Sequence, residues 1–179
     1  MDRAAVLAAA RRVRLVGFDI DGVLTDGRLH YDDDGGESKS FHVHDGLGLK
    51  LLAAAGIETV VISARHSAAA ARRLRELGIG EVHLGVGNKL EVFDALRQAR
   101  ALSWADCAYM GDDLPDLAVL QRVAVAATVA DATPTIRALA HWIAERDGGR
   151  GAVREFAEWL LQAQGRWEQV LAPFRGPAA

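Results

Sequence analysis

Apolar residues recur along this chain in two rhythms. Short apolar runs occur at Leu15–Phe18 and at residues 59–62, 107–110 and 123–127, with shorter, mixed stretches at 81–84 and 141–144. Each is too short for a stable helix and lies near glycine, aspartate or proline, so each predicts a buried strand. Between them, apolar residues return every third or fourth position. That period predicts helices over 3–12, 47–55, 67–77, 89–102, 115–120, 135–139 and 152–164. Leu90, Phe93 and Leu96 share one face of the fourth helix, and Val153, Phe156 and Leu160 share one face of the last. Gly56 and Gly78 stand where a helix commonly stops. Strands alternating with helices predict an α/β fold, a doubly wound and mostly parallel sheet.

Residues 28–44 break this alternation. They have no helical period, and extended runs at 29–31 and 40–43 flank the turn cluster Asp32-Asp33-Asp34-Gly35-Gly36. The pattern predicts a β-hairpin that projects as a flap from the mouth of a site. The interval from Asp21 to Ser63 is shorter than the roughly 50 residues at which separate domains begin, so no cap domain fits there. With 179 residues the expectation is one domain over 1–179, with a C-terminal segment from about 148 and a frayed tail at 173–179.

Composition narrows the function classes. The net charge of −3 leaves no basic footprint, so nucleic acid is not expected as a partner. No apolar run approaches the ~20 residues of a membrane span. The apolar patch near the N-terminus is interrupted by arginines and reads as a helix, not a signal peptide. A cytoplasmic location is expected. The single cysteine, Cys107, has no internal partner and lies in an apolar run, which suits a buried residue in a reducing compartment.

The chemistry sits at strand ends. The first strand runs into Asp19-Ile20-Asp21-Gly22, with Asp26 beyond; Ser63 follows the second; Lys89 opens a helix; and Gly111-Asp112-Asp113-Leu114-Pro115-Asp116 follows the strand 107–110. Alone, an acidic D-x-D-G is also compatible with a calcium loop, but Val23 stands where the next ligand belongs. The four motifs, in this order, resemble the haloacid dehalogenase (HAD) superfamily of phosphatases. The chemistry is coherent. A carboxylate, Asp19, can attack phosphorus and form an aspartyl-phosphate. Asp21 can protonate the leaving oxygen and later activate water. Ser63 and Lys89 can neutralise and orient the phosphoryl oxygens. By resemblance, Mg²⁺ would be held by Asp19, Asp112 and the backbone carbonyl of Asp21, with Asp113 in its outer shell.

Further strings narrow the resemblance. They are F-H-V-H-D-G-L-G from Phe41, I-S-A-R from Ile62, G-N-K from Gly87, V-A-D-A-T-P from Val129 and G-G-R-G-A-V-R-E from Gly148. Together they are similar to the capless 3-deoxy-D-manno-octulosonate 8-phosphate (KDO 8-phosphate) phosphatases of lipopolysaccharide precursor synthesis. The resemblance implies a homotetramer in which a neighbour helps to close each site. A sugar-acid carboxylate calls for arginine, so Arg65 and Arg73 are the candidates; the resemblance implies that they reach a neighbour's site, and Gly46 is a further substrate-binding candidate. Phosphatases of nonulosonate 9-phosphate or other sugar phosphates, and a non-catalytic oligomerisation or regulatory module, are the alternatives. Two departures stand out. Ser63-Ala64-Arg65 occupies the place of the family's usual T-G-R, and His44 that of an arginine. The pair His42 and His44 lacks a third ligand, so it is expected at a surface or subunit interface and not in a zinc site. Arg150 is a candidate to fold toward a site.

Overall fold

The computed structural model describes residues 2–176. After α1 (Arg3–Ala10), β1 (Leu15–Phe18) enters the middle of a six-stranded sheet. A hairpin, β2 (His30–Tyr31) and β3 (Glu37–Ser38), leads to α2 (Val43–Ala54). Then come β4 (Glu58–Ile62), α3 (Ala68–Leu77), β5 (Glu81–His83), α4 (Lys89–Ala99), β6 (Cys107–Met110), α5 (Leu117–Leu120), β7 (Val125–Thr128), α6 (Pro134–Leu139) and β8 (Trp142–Ile143). Two helices, α7 (Ala152–Ala163) and α8 (Trp167–Leu171), follow. The sheet order is β5-β4-β1-β6-β7-β8, and every neighbouring pair is parallel. The fold is therefore α/β, and among the described residues there is no separate cap domain.

This topology decides where ligands can bind. From β1 the chain goes to β4 on one side and later to β6 on the other, with Phe18 in register with both Val61 and Met110. The crevice beyond the carboxyl ends of those three strands is a switch point, where open parallel sheets bind ligands. β1 is buried throughout because both sheet faces are covered. On one face Phe18 meets Phe156 of α7 edge to face, 6.3 Å between ring centroids. On the other, Phe93 of α4 packs edge to face on Tyr109, 5.6 Å apart. Such pairs contribute ~0.5–1.5 kcal/mol beyond their buried area.

The hairpin differs from its expected form. Its second strand is Glu37–Ser38, not 40–43, and α2 begins at Val43, not 47. His42 supplies the reason: its Nδ1 accepts the His44 N–H at 3.2 Å and caps the helix early. The fourth helix ends at Ala99, short of 102, and the fifth begins at Leu117 because a short 3₁₀ turn at Leu114–Asp116 takes over its start. Beyond the expected helices the chain adds α8, and Pro173 and Phe174 lie in a closing 3₁₀ turn (Ala172–Phe174). Residues 177–179 of the expected frayed tail lie outside the described residues. Among the described residues no helix is long and apolar enough to cross a membrane.

The segment 148–155 acquires a structural meaning. A Cβ on Gly148 would fall 1.8 Å from the carbonyl oxygen of Gly22, so the segment lies directly against the loop that follows β1. Gly148 N–H is held by Asp131 Oδ1 at 2.9 Å. Behind it, Asp45 of α2 accepts the N–H groups of Gly151 at 3.1 Å and Arg154 at 3.0 Å and so caps α7 across the chain. Burial raises the Asp45 pKa, and these amide donors pull against that rise. Replacing Asp45 with alanine strands one buried and one part-buried amide. It should lower the urea-unfolding free energy by ~1–3 kcal/mol at unchanged m-value.

Candidate active site

Four of the expected site residues come together at the ends of adjacent strands. Asp19 follows β1, Ser63 follows β4, Asp112 follows β6, and Lys89 opens α4. They line one cavity of about 300 Å³ together with Asp21, Ala64, Arg65, Asp113 and Pro115. Lys89 Nζ lies 2.9 Å from Asp19 Oδ1 and 2.7 Å from Asp116 Oδ1. Asp19 is 7% exposed and Lys89 3%. The Ile20 N–H also donates to Asp19 Oδ1, at 2.7 Å. Asn88 caps α4, which fixes the helix start and with it the base of the lysine side chain.

The charges do not balance. Oxygens of Asp19, Asp112 and Asp116 all lie within 4.8 Å of one another, and Lys89 is the cation among them. Burial and then Asp116 raise the Asp19 pKa to about 7, while Lys89 opposes the rise. Burial, then Asp19 and Asp116, raise that of Asp112 to about 8. Burial works against the charge on Lys89, but Asp116 and Asp19 outweigh it and hold its pKa above the ordinary lysine value.

The other candidates separate into two groups. Ser63 is buried, and its Oγ accepts the Arg65 N–H at 3.1 Å. Asp113 is exposed at the cavity edge. Arg65 lines the cavity of its own chain and turns toward the hairpin, with Nη2 2.8 Å from Tyr31 Oη and 3.0 Å from Glu37 Oε2. Arg73 and Gly46 lie together elsewhere: a Cβ on Gly46 would come 2.7 Å from Arg73 Nη2, and neither residue lines the cavity. Arg150 reaches Asp26 Oδ2 at 3.5 Å, on the loop after β1. His42 and His44 stack edge to face, 4.8 Å apart, at the start of α2. Ala64 is accommodated without strain, since Ala101 is the one non-glycine residue with positive φ among the described residues.

Sequence reasoning passed over several residues. Asp116 is fully buried, and Tyr109 Oη donates to its Oδ1 at 3.0 Å. Its Oδ2 accepts the Asp112 N–H at 3.2 Å. The available signal was its place three residues after Asp113, a capping-box spacing. Lys39, Glu37 and Tyr31 sit on the flap with no local pattern to single them out.

A divalent cation fits this donor set. Asp112 Oδ1 is buried without a hydrogen-bond partner. Its Oδ2 occupies space that a Cβ on Gly22 would fill, 2.1 Å away, so glycine there makes room for the carboxylate. Gly22 also has φ +92°, a conformation that side chains disfavour. Asp116 is committed to Lys89, Tyr109 and backbone amides, which leaves Asp19 and Asp112 as the carboxylates able to hold an ion. Hard oxygen ligands in small number, with room for water and phosphate, suit Mg²⁺.

A pH dependence follows. Both acids have folded-state pKa values raised to about 7 and about 8, above the unfolded value. The folded state therefore binds more protons than the unfolded one across that window, and stability falls as pH rises through it. In chelator the melting temperature should be lower near pH 8 than near pH 5, and saturating Mg²⁺ should reverse the difference. Asp112→Asn should raise the melting temperature of the metal-free protein near pH 8 and weaken its response to Mg²⁺.

No family model matches the chain. It is 39% identical over 167 residues to 3-deoxy-D-manno-octulosonate 8-phosphate phosphatase KdsC of Escherichia coli (strain K12), covering 93% of this chain and 89% of that one. The crystal structure of 3-deoxy-D-manno-octulosonate 8-phosphate phosphatase from Moraxella catarrhalis, in complex with magnesium, phosphate and KDO, is similar, with a TM-score of 0.93 at 36% identity over 97% of this chain and 99% of that one. A HAD superfamily (subfamily III A) hydrolase from Legionella pneumophila is similar at TM-score 0.93 and 40% identity, over 97% and 96% of the two chains. With its carboxylates at the ends of the central strands and a hairpin where a cap would stand, this chain belongs to the KDO 8-phosphate phosphatase family of the HAD superfamily.

Proposed function

We propose that the protein is a Mg²⁺-dependent phosphatase that hydrolyses KDO 8-phosphate to KDO and inorganic phosphate, a step in lipopolysaccharide precursor synthesis. The observation that carries this reading is the convergence of Asp19, Ser63, Lys89 and Asp112 on one cavity. The similarity to KdsC and to the Moraxella enzyme supports the substrate.

In this mechanism Asp19 Oδ attacks phosphorus as the bond from phosphorus to the sugar oxygen breaks, which leaves an aspartyl-phosphate. Asp21 gives its proton to the departing oxygen and later takes one from the water that cleaves the intermediate. Lys89 and Ser63 hold the phosphoryl oxygens. Asp116 positions Lys89. Asp19, Asp112 and the Asp21 carbonyl, with Asp113 in the outer shell, would hold Mg²⁺, which would supply positive charge where a dianion meets an anionic nucleophile. Arg65, Arg73 and Gly46 are assigned to the substrate. Arg73 and Gly46 lie outside the cavity of their own chain, which suits a contribution to a neighbour's site. We read residues 1–179 as one catalytic domain that works in the cytoplasm as a homotetramer.

Purified protein should release phosphate from KDO 8-phosphate with Mg²⁺ and lose that activity in chelator. Its kcat/KM should be highest for KDO 8-phosphate in a panel that includes nonulosonate 9-phosphate. Higher efficiency on the latter would reassign the substrate. Absence of any Mg²⁺-dependent phosphate release would point to a non-catalytic module. Asp19→Asn should abolish turnover with an unchanged circular dichroism spectrum, and turnover within about tenfold of the parent would refute the nucleophile. Light scattering on the eluting protein tests the tetramer.

A further inference from the structure

The flap is small, yet it carries a fully buried cation. The hairpin pairs two residues on each strand, His30 with Ser38 and Tyr31 with Glu37. Two strands of that length are not stable alone in water. Tyr31 is 62% exposed, so apolar burial is not what docks them. Polar contacts do. Arg65, after β4, reaches Tyr31 and Glu37, and Lys39, next after β3, reaches back to the loop after β1. The Lys39 side chain has no exposed surface, and its Nζ is paired with Asp21 Oδ1. Glu37 Oε1 stands 3.7 Å from the same Nζ, and Arg65 Nε stands 3.9 Å from Asp21 Oδ2.

Asp21 has an unusual placement for a residue two positions from Asp19. Its carboxylate is absent from the close group formed by Asp19, Asp112 and Asp116. A metal ion held by Asp19 and Asp112 would draw a free carboxylate in as a direct ligand and away from the leaving oxygen of the substrate, whereas Lys39 engages Oδ1 alone and leaves Oδ2 without a hydrogen bond. A buried lysine on the flap side is a competing positive charge at hydrogen-bond range.

We propose that Lys39 is a positioning residue for Asp21: it fixes the Asp21 carboxylate on the flap side of the cavity, so that docking of the flap and readiness of the acid/base are one event. The proposal rests on the reading of Asp21 as the acid/base. In the step concerned, the bond from phosphorus to Asp19 Oδ forms, the bond from phosphorus to the ester oxygen breaks, and that oxygen takes the Asp21 proton. A nitrophenolate leaves without such help, whereas a sugar alkoxide does not.

The test compares Lys39→Met, Lys39→Arg, Asp21→Asn and the double variant Asp21→Asn/Lys39→Met in the full chain with Mg²⁺. The readout is kcat/KM, which reports the steps through aspartyl-phosphate formation. Lys39→Met should lower it at least ~10-fold for KDO 8-phosphate and less than ~3-fold for p-nitrophenyl phosphate, given the 10²–10⁴-fold worth of general acid catalysis. Lys39→Arg should recover most of the loss. On the Asp21→Asn background, Lys39→Met should cost less than about twofold, because residues that act as a unit are not additive. Equal losses on both substrates, an unchanged or improved rate on the sugar phosphate, or additive losses in the double variant would each overturn the proposal and leave Asp21 in its role. Parent-like sugar phosphate turnover by Asp21→Asn would overturn the acid/base assignment itself, and the proposal with it. If Lys39→Met proves unfolded by circular dichroism, Glu37→Gln, which weakens the same flap contacts, takes its place with the same substrate comparison.

Discussion

The buried contact of Lys89 with Asp19 and Asp116 is the constraint on which the site depends. Taking an ammonium and two carboxylates out of water costs several kcal/mol per ion, which only close pairing offsets. Lys89 meets that condition at 2.9 Å from Asp19 and 2.7 Å from Asp116. Asp116 in turn satisfies its remaining lone pairs with Tyr109 and the amides after β6. The sheet, the start of α4 and the turn after β6 are thereby tied at one point. Because Asp112 brings a third carboxylate, the charge is left unbalanced toward the negative. That surplus makes the site receptive to a divalent cation and costly to maintain without one.

A second constraint comes from the missing cap. The strands place reactive groups at an open edge, and water must be excluded by something other than a second domain. The chain meets this with two polar devices. The hairpin is drawn onto the cavity rim by Lys39 and Arg65. The segment at 148–151 lies against Gly22 and Thr25 from behind, held by Asp131 and Asp45. The loop after β1 is thus clamped from both sides. Both clamps are charged or hydrogen-bonded, so their strength depends on geometry more than on buried area.

The order of strands and helices was legible because most of the elements repeat a simple period over four or more residues. Leu15–Phe18 and Cys107–Met110 were bounded to the residue, since a glycine or aspartate ends each apolar run. The nucleophile candidate, the phosphate-binding pair and Asp112 were legible because each is a polar residue next to a strand end or opening a helix, and a parallel sheet gathers such positions on one edge. The boundary between hairpin and α2 was not legible, because a single cap by His42 set it. Nor was α8, because Trp167, Val170 and Leu171 keep a helical spacing over only five residues, too short a stretch to stand out.

By itself the sequence determined the fold class and the chemistry available at the sheet edge, because periodicity and strand-end position are local properties. Tertiary structure alone decided the partners. It showed that Asp116 shares Lys89 with Asp19, that Arg65 faces the flap of its own chain, and that Lys39 takes hold of Asp21. It also gave 148–155 a role as the back wall of the loop after β1. These pairings join residues 18 or more positions apart. Nothing local marks them, because which charges meet is settled only when the packed sheet brings distant loops into range.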